Sequence, residues 1–212
     1  MIISKTPFRI SFFGGGTDYP DWYLENGGSV LSTTIDKYCY ISARHLPPFF
    51  DHNFRISYSQ IENVNEISDI QHPAVKGILN DLKFDSGLEI HVDADLPARS
   101  GIGSSSSFIV GLLNSLYALR RKRVSKRFLA QEAIRYEQEV LSENVGSQDQ
   151  TAAAFGGFNF IEFEKATGKI SVEPIIIKKH RVNELNDHLM LFFTGFSRIA
   201  SEIAKEQVEN IK

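Results

Sequence analysis

Hydrophobic positions change period several times along the 212-residue chain, and each change marks an element. In residues 2–13, Phe8, Ile10 and Phe12 alternate with Arg9 and Ser11, which predicts a strand with one polar face. Pro7 has no N–H to give a ladder, so an edge or a bulge is expected there. Gly14-Gly15-Gly16 ends the strand, and two further β-rich runs follow at Ser29 to Ile35 and Lys37 to His45. Leu88, Ile90, Val92 and Ala94 alternate with Glu89, His91, Asp93 and Asp95, the mark of a half-buried strand, which Pro97 closes. The period then lengthens. Phe108, Leu112, Leu116 and Leu119 recur at helical spacing, widened by Ile109 and Leu113, and predict a central helix. Ser125 is an N-cap for a second helix reaching about Leu141, after which "AAAFGGFNFIEF" returns the chain to β structure through Gly156-Gly157. Residues 170–177 and 188–194 read as strands. Ser197 opens a last amphipathic helix that stops at Lys212 without a capping glycine, the pattern expected of a chain cut at a domain boundary.

With 42% hydrophobic residues the chain can bury one sizeable core, or one domain and part of a second. Its net charge is −3 with the signs interspersed, and no basic stripe offers itself to nucleic acid. The longest apolar stretch, Phe108 to Leu119, is broken by Gly111, Asn114 and Ser115 and is too short and too polar to span a bilayer. The single cysteine, Cys39, allows neither an internal disulfide nor a Cys-rich zinc site. No charged-then-apolar leader precedes Ile2, so a cytoplasmic protein is expected.

Three segments bring together residues with chemical potential. "LPARSGIGSSSSFIVGLL", Leu96 to Leu113, follows a strand and opens a helix, the arrangement of an anion site: glycines let the backbone approach a phosphate, and the first helical turn supplies N–H groups and positive dipole. A serine-capped helix start is the plainer alternative, although a cap needs one serine and this segment has four. Neither GxxxxGK[ST] nor GxGxxG is present. "TPFRISFFGGGTDYPDWY", residues 6–23, has a rigid strand carrying Arg9 and a glycine turn that delivers Thr17-Asp18-Tyr19 to a fixed place. There Asp18 could accept sugar hydroxyls, or serve as an ordinary Asx-turn residue before Pro20. "YEQEVLSENVGSQDQTAAAFGG", residues 136–157, sets Asp149 between two glutamines in a loop after an acidic helix. Glu137 or Glu139 is near enough in sequence for a metal, and a merely solvated acidic face is the alternative.

In this order the segments resemble the galacto-homoserine-mevalonate-phosphomevalonate (GHMP) small-molecule kinases: "PFRISFFGGGTDY" their first motif, "LPARSGIGSSSS" the phosphate-binding PxxxGLGSSA type, and "GSQDQTAAAFGG" the segment with the catalytic aspartate. The resemblance implies an α+β fold of the ribosomal protein S5 domain 2-like kind, with a mixed or antiparallel sheet packed with helices, over residues 1–180. It makes residues 181–212 the beginning of a second α+β domain whose own glycine-rich motif does not appear before Lys212. It further implies ATP and Mg²⁺ as cofactors and a sugar or sugar phosphate as partner. Pro97, Gly101, Gly103, Ser104, Ser105 and Ser106 would surround the ATP phosphates; Ser105 and Glu137, with Glu139 as fallback, would hold magnesium. Asp149 would take or orient the proton of the attacking hydroxyl, Arg9 would lower that hydroxyl's pKa, and Asp18, with Thr17 and Tyr19, would bind the sugar. Within the family, "GGGTDYPDWY" and "ENVGSQDQTAAAFGGFNF" are most similar to kinases of D-glycero-D-manno-heptose 7-phosphate, which act on the anomeric oxygen. Galactokinase-like or fucokinase-like enzymes and a non-catalytic binding module are the alternatives. For a substrate phosphate, Lys5, Arg44, Arg55, Lys76 and Arg99 are the candidate cations, with no spacing to rank them.

Overall fold

The computed structural model describes residues 1–98 and 100–192. In chain order these form β1 (Ile2–Phe13), α1 (Pro20–Asn26), β2 (Gly28–His45), β3 (Phe54–Ser57), β4 (Ile61–Val64), α2 (Pro73–Asp81), β5 (Leu88–Ala94) and α3 (Ser104–Leu119). They continue with α4 (Lys126–Arg135), α5 (Gln148–Phe155), β6 (Phe158–Phe163), β7 (Ile170–Pro174) and α6 (Lys179–Asp187). The strands make one mixed seven-stranded sheet, in the order β4-β3-β5-β2-β6-β7 with β1 also on β2. The architecture is therefore α+β with helices packed on a mixed sheet, as expected.

β2 is the spine of the sheet. One edge pairs with β1; the other is shared by β6 over Gly28 to Thr33 and β5 over Cys39 to His45. The two runs expected around Asp36 are this single strand. Pro7 pairs with Tyr38 and Arg9 with Thr34, so β1 advances two residues while β2 advances four, and the apparent break at Asp36 is a bulge opposite the proline that cannot donate. Beyond the bulge, Cys39, Ile41 and Ala43 face a core built with Leu88 and Ile90 of β5, Val75, Ile78 and Leu79 of α2, and Ile109, Leu112, Leu113 and Leu116 of α3. Burying these side chains, with each valine, leucine or isoleucine contributing about 1.5–3 kcal/mol, sets the plane on which the functional loops stand.

α3 approaches β1 closely because both surfaces are small. Ser4 and Thr6 turn inward beside Phe8, and a Cβ added at Gly111 would lie 2.8 Å from Thr6 Oγ1 and 3.2 Å from Ser4 Oγ. The Ser4 hydroxyl donates to Gly111 O at 3.0 Å and the Ser107 hydroxyl to Pro7 O at 2.9 Å. Ser107, Gly111 and the buried Ser115, spaced by four, form one stripe of α3.

The helix capped by Ser125, whose hydroxyl accepts from Phe128 N at 3.1 Å, runs as α4 and then widens into a π turn over Tyr136–Val140, closed by Leu141 N donating to Tyr136 O at 2.9 Å. Downstream, the structure departs from the pattern. The strand expected over 170–177 ends at Pro174, after which Ile175 N makes a last bond to Phe158 O, and the chain turns into α6, none of whose side chains is buried. Residues 188–192 form no strand: an apolar run does not of itself distinguish a strand from a chain that has left the sheet. Residues 193–194, and the helix expected from Ser197, lie outside the described residues.

Candidate active site

Four residues before the end of β1 the Arg9 guanidinium reaches three ways. Its Nε donates to Asp149 Oδ1 at 2.6 Å, Nη2 stands 2.6 Å from the same oxygen, and Nη1 donates to Gly101 O at 3.0 Å. Arg9 N also donates to Ile102 O at 3.1 Å, so the strand holds the Gly101-Ile102-Gly103 loop by backbone and side chain alike. Gly103 caps α3 at φ +71°, and a Cβ there would come within 3.2 Å of Arg9 Cγ and 3.3 Å of Asp149 Oδ2. Only glycine takes that conformation without strain and leaves the space. Asp149, expected in a loop, lies in the first turn of α5, where a carboxylate is favoured by the helix dipole. Arg9 and Asp149 remain 14% and 26% exposed, open to a reactant.

The loop runs from the exposed Pro97, whose carbonyl accepts the Ser100 hydroxyl at 2.8 Å, to the positive end of the 16-residue α3. The serine cluster beyond it divides. Ser104 and Ser105 open the helix on its outer side, with Ser105 exposed. Ser106 is buried and donates to Glu137 Oε2 at 2.7 Å, and Ser107 is the packing residue on Pro7. The serine that touches the Glu137 carboxylate is thus Ser106, next to the Ser105 singled out above.

The π turn rotates Glu137 inward and leaves Glu139 exposed. Glu137 is 0% exposed; Oε2 accepts from Ser106 and from the Gln150 side-chain amide, and Oε1 has no partner. Burial pushes its pKa up to about 7 against the pull of those two hydrogen bonds, with Asp149 and Glu143 adding to the rise.

Asp18 is 1% exposed. Its Oδ1 accepts from Gly16 N and Gln148 Nε2, each at 3.1 Å, and its Oδ2 from Gln148 N at 3.2 Å, while Gly146 leaves no room for a Cβ beside it. The carboxylate therefore ties the glycine turn to the start of α5. Burial and the charge of Asp149 raise its pKa, and the hydrogen bonds from Gln148 and Gly16 oppose them. The Thr17 hydroxyl donates to Gly14 O at 2.8 Å and accepts from Ser29 N at 3.1 Å, which pins the same turn to β2. Tyr19, partly buried at the head of α1, has its phenol pushed up to about 12 by burial and by Asp18 and Asp149, with Arg9 opposing. Gln148 and Gln150 were not singled out in the sequence; their only signal there is that they flank Asp149.

The structure also sorts the cations. Lys5 lies 3.8 Å above the Tyr38 ring, Arg44 is paired with Glu89, Arg55 Nε is 3.9 Å from Glu89 Oε1, and the Lys76 ammonium donates to Ser68 O. Arg44 lies one residue past the Ile2–Ala43 pair and so about eight positions of β1 from Arg9, roughly 26 Å away at the strand rise. Arg99 lies outside the described residues.

Residues 70–157 match the GHMP kinases N terminal domain. The chain is 31% identical, over 97% of its length, to the D-glycero-alpha-D-manno-heptose 7-phosphate kinase of Campylobacter jejuni, and spans 63% of that protein. It is 30% identical to the galactokinase of Pyrococcus furiosus, over 97% of this chain and 57% of the relative. Among solved structures, a D-glycero-D-manno-heptose 1-phosphate kinase from Bacteroides thetaiotaomicron superposes with a TM-score of 0.78 at 27% identity, covering 87% of this chain and 63% of that one. The segment that matches runs from just before α2 to the end of α5 and includes the Gly101 to Ser106 loop, Glu137 and Asp149, so within this chain the likeness to the GHMP kinases N terminal domain falls on the site just described.

Proposed function

We propose that this protein is an ATP-dependent sugar kinase, and that its acceptor is the anomeric hydroxyl of D-glycero-D-manno-heptose 7-phosphate, which it converts to the 1,7-bisphosphate. One observation carries the reading: the Arg9–Asp149 pair is fastened to the Gly101 to Gly103 loop at the head of α3, so a group able to receive a proton stands beside an anion cradle. In this reading residues 1–180 are the ATP-binding domain and 181–212 begin the second. A cytoplasmic location suits a consumer of ATP.

Phosphoryl transfer is mostly positioning and neutralisation of developing charge. The Gly101 and Gly103 backbone, Ser104, Ser105 and the α3 dipole would hold the β- and γ-phosphates. Asp149 would accept or orient the proton of the sugar hydroxyl, and Arg9 would stabilise the resulting oxyanion while keeping Asp149 in place. Asp18, Thr17 and Tyr19 would shape the sugar side, Asp18 chiefly through Gln148. The donor set fits magnesium: a buried carboxylate with one unpartnered oxygen, beside serine hydroxyls, leaves the remaining positions to phosphates and water, and among the described residues no cage of three acidic, His or Cys side chains competes with it. Magnesium bound there by Glu137 and a serine would neutralise phosphate charge.

The names of the relatives place the substrate phosphate at position 7 in one and position 1 in the other, so both heptose phosphates belong in the test, with galactose and fucose. Each is incubated with Mg-ATP, ADP release is followed, and the product is located by phosphorus NMR. Turnover with the 7-phosphate and a new anomeric phosphate supports the proposal. Preference for galactose or fucose would replace the substrate, and ATP binding without turnover of any of them would favour a binding module.

A further inference from the structure

Two donors converge on one oxygen of Glu137. The Ser106 hydroxyl, at 2.7 Å, and the Gln150 side-chain amide both bind Oε2, and Oε1 of the same fully buried carboxylate has no protein partner. A buried acceptor left unmade is costly, and two donors with freedom to choose would spread over both oxygens. Gln150 is itself fully buried and lies in the first turn of α5, directly after Asp149. Neighbouring helical residues diverge by about 100° around the axis, so one rigid turn points Asp149 at Arg9 and Gln150 at Glu137. The amide orientation is fixed by its partner, because a flipped Gln150 would set its oxygen against a carboxylate oxygen.

We propose that Gln150 is a positioning residue for the kinase reaction: with Ser106 it holds Glu137 through Oε2 and so presents Oε1 to the divalent cation that accompanies the nucleotide. The proposal rests on the kinase reading above. Gln150 Oε1 is a second buried acceptor without a partner among the described residues. Gln150 couples the metal carboxylate to the helix that carries Asp149, which a simple packing residue would not do.

The test is the binding of ADP measured by calorimetry with and without Mg²⁺, in the unsubstituted protein and in Gln150→Met, which keeps the side-chain length and removes the donor. Loss of such an outer partner costs about 10- to 100-fold in metal affinity, so the Mg²⁺ enhancement of ADP binding is expected to fall at least tenfold, with metal-free ADP affinity held within twofold. A residue that only packs would lower thermal stability and leave the enhancement unchanged, and that result overturns the proposal. If Gln150→Met does not fold, Gln150→Asn keeps an amide but shortens its reach to Glu137 Oε2 and is read in the same way, an unchanged enhancement again overturning the proposal. Absence of ADP binding by the unsubstituted protein would overturn the kinase reading itself and the role of Gln150 with it.

Discussion

Arg9 and Asp149, separated by 140 positions in the chain, meet at 2.6 Å, and the arginine that holds the aspartate also holds Gly101 O. Asp149→Asn keeps the size of the side chain and removes the charge that could receive a proton. Turnover is expected to fall roughly 10²- to 10⁴-fold while ATP affinity stays within a few-fold, as read by steady-state kinetics and calorimetry. Equal losses of turnover and affinity would place the aspartate on the nucleotide instead.

Glu137 ties stability to pH. Its folded pKa of about 7 lies above the ordinary 4.5, so between these values the folded protein keeps a proton that the unfolded chain has released, and stability declines as pH rises across that window. Glu137→Gln removes the buried charge. Without metal, the variant should be more stable than its parent by about 3 kcal/mol at pH 8 and equal to it at pH 4, measured by urea denaturation. A pH-independent difference would mean that Glu137 keeps an ordinary pKa in the folded protein.

Asp18 accepts from Gly16 N, Gln148 N and Gln148 Nε2. Asp18→Ala leaves those donors without their acceptor and should cost about 2 kcal/mol or more of unfolding free energy, even without sugar present. A variant of unchanged stability with a raised KM for the sugar would instead make Asp18 a direct ligand.

Gly111 lets α3 lie against β1, with Thr6 Oγ1 2.8 Å from where a Cβ would stand. Gly111→Val should destabilise by about 1–3 kcal/mol through overpacking, despite the better helix propensity of valine. Because the Gly101 to Gly103 loop leads into this helix, a loss of nucleotide affinity is expected alongside the loss of stability in denaturant.

Much of the framework is legible in local pattern. The alternation in β5, the helical spacing of Phe108 to Leu119 and the Ser125 cap report which positions face the core, and core burial is what orders them. The downstream segments were less legible. α6 buries nothing among the described residues, so no periodic apolar face announces it. Pro7 announces an edge or a bulge in β1, but the extra residues lie opposite it in β2, where they read as a gap between two runs at Asp36 because the ladder that bridges them is not in the local pattern.

For the site, the sequence alone determined the cast: a glycine-serine loop before a helix, an arginine on a strand, and a carboxylate before the final sheet strands. The first of these is legible because glycine lets a backbone come close to an anion and a helix start offers free N–H groups, both properties of residue type and order. What only the tertiary structure decided is how identical residues divide their work. Of four adjacent serines, one binds Glu137, another packs on Pro7, and two open the helix. Of two nearby glutamates, the π turn buries Glu137 and exposes Glu139. Helix phase and the closeness of α3 to β1 set these choices, because a side chain's direction depends on where its element is packed and not on its own chemistry.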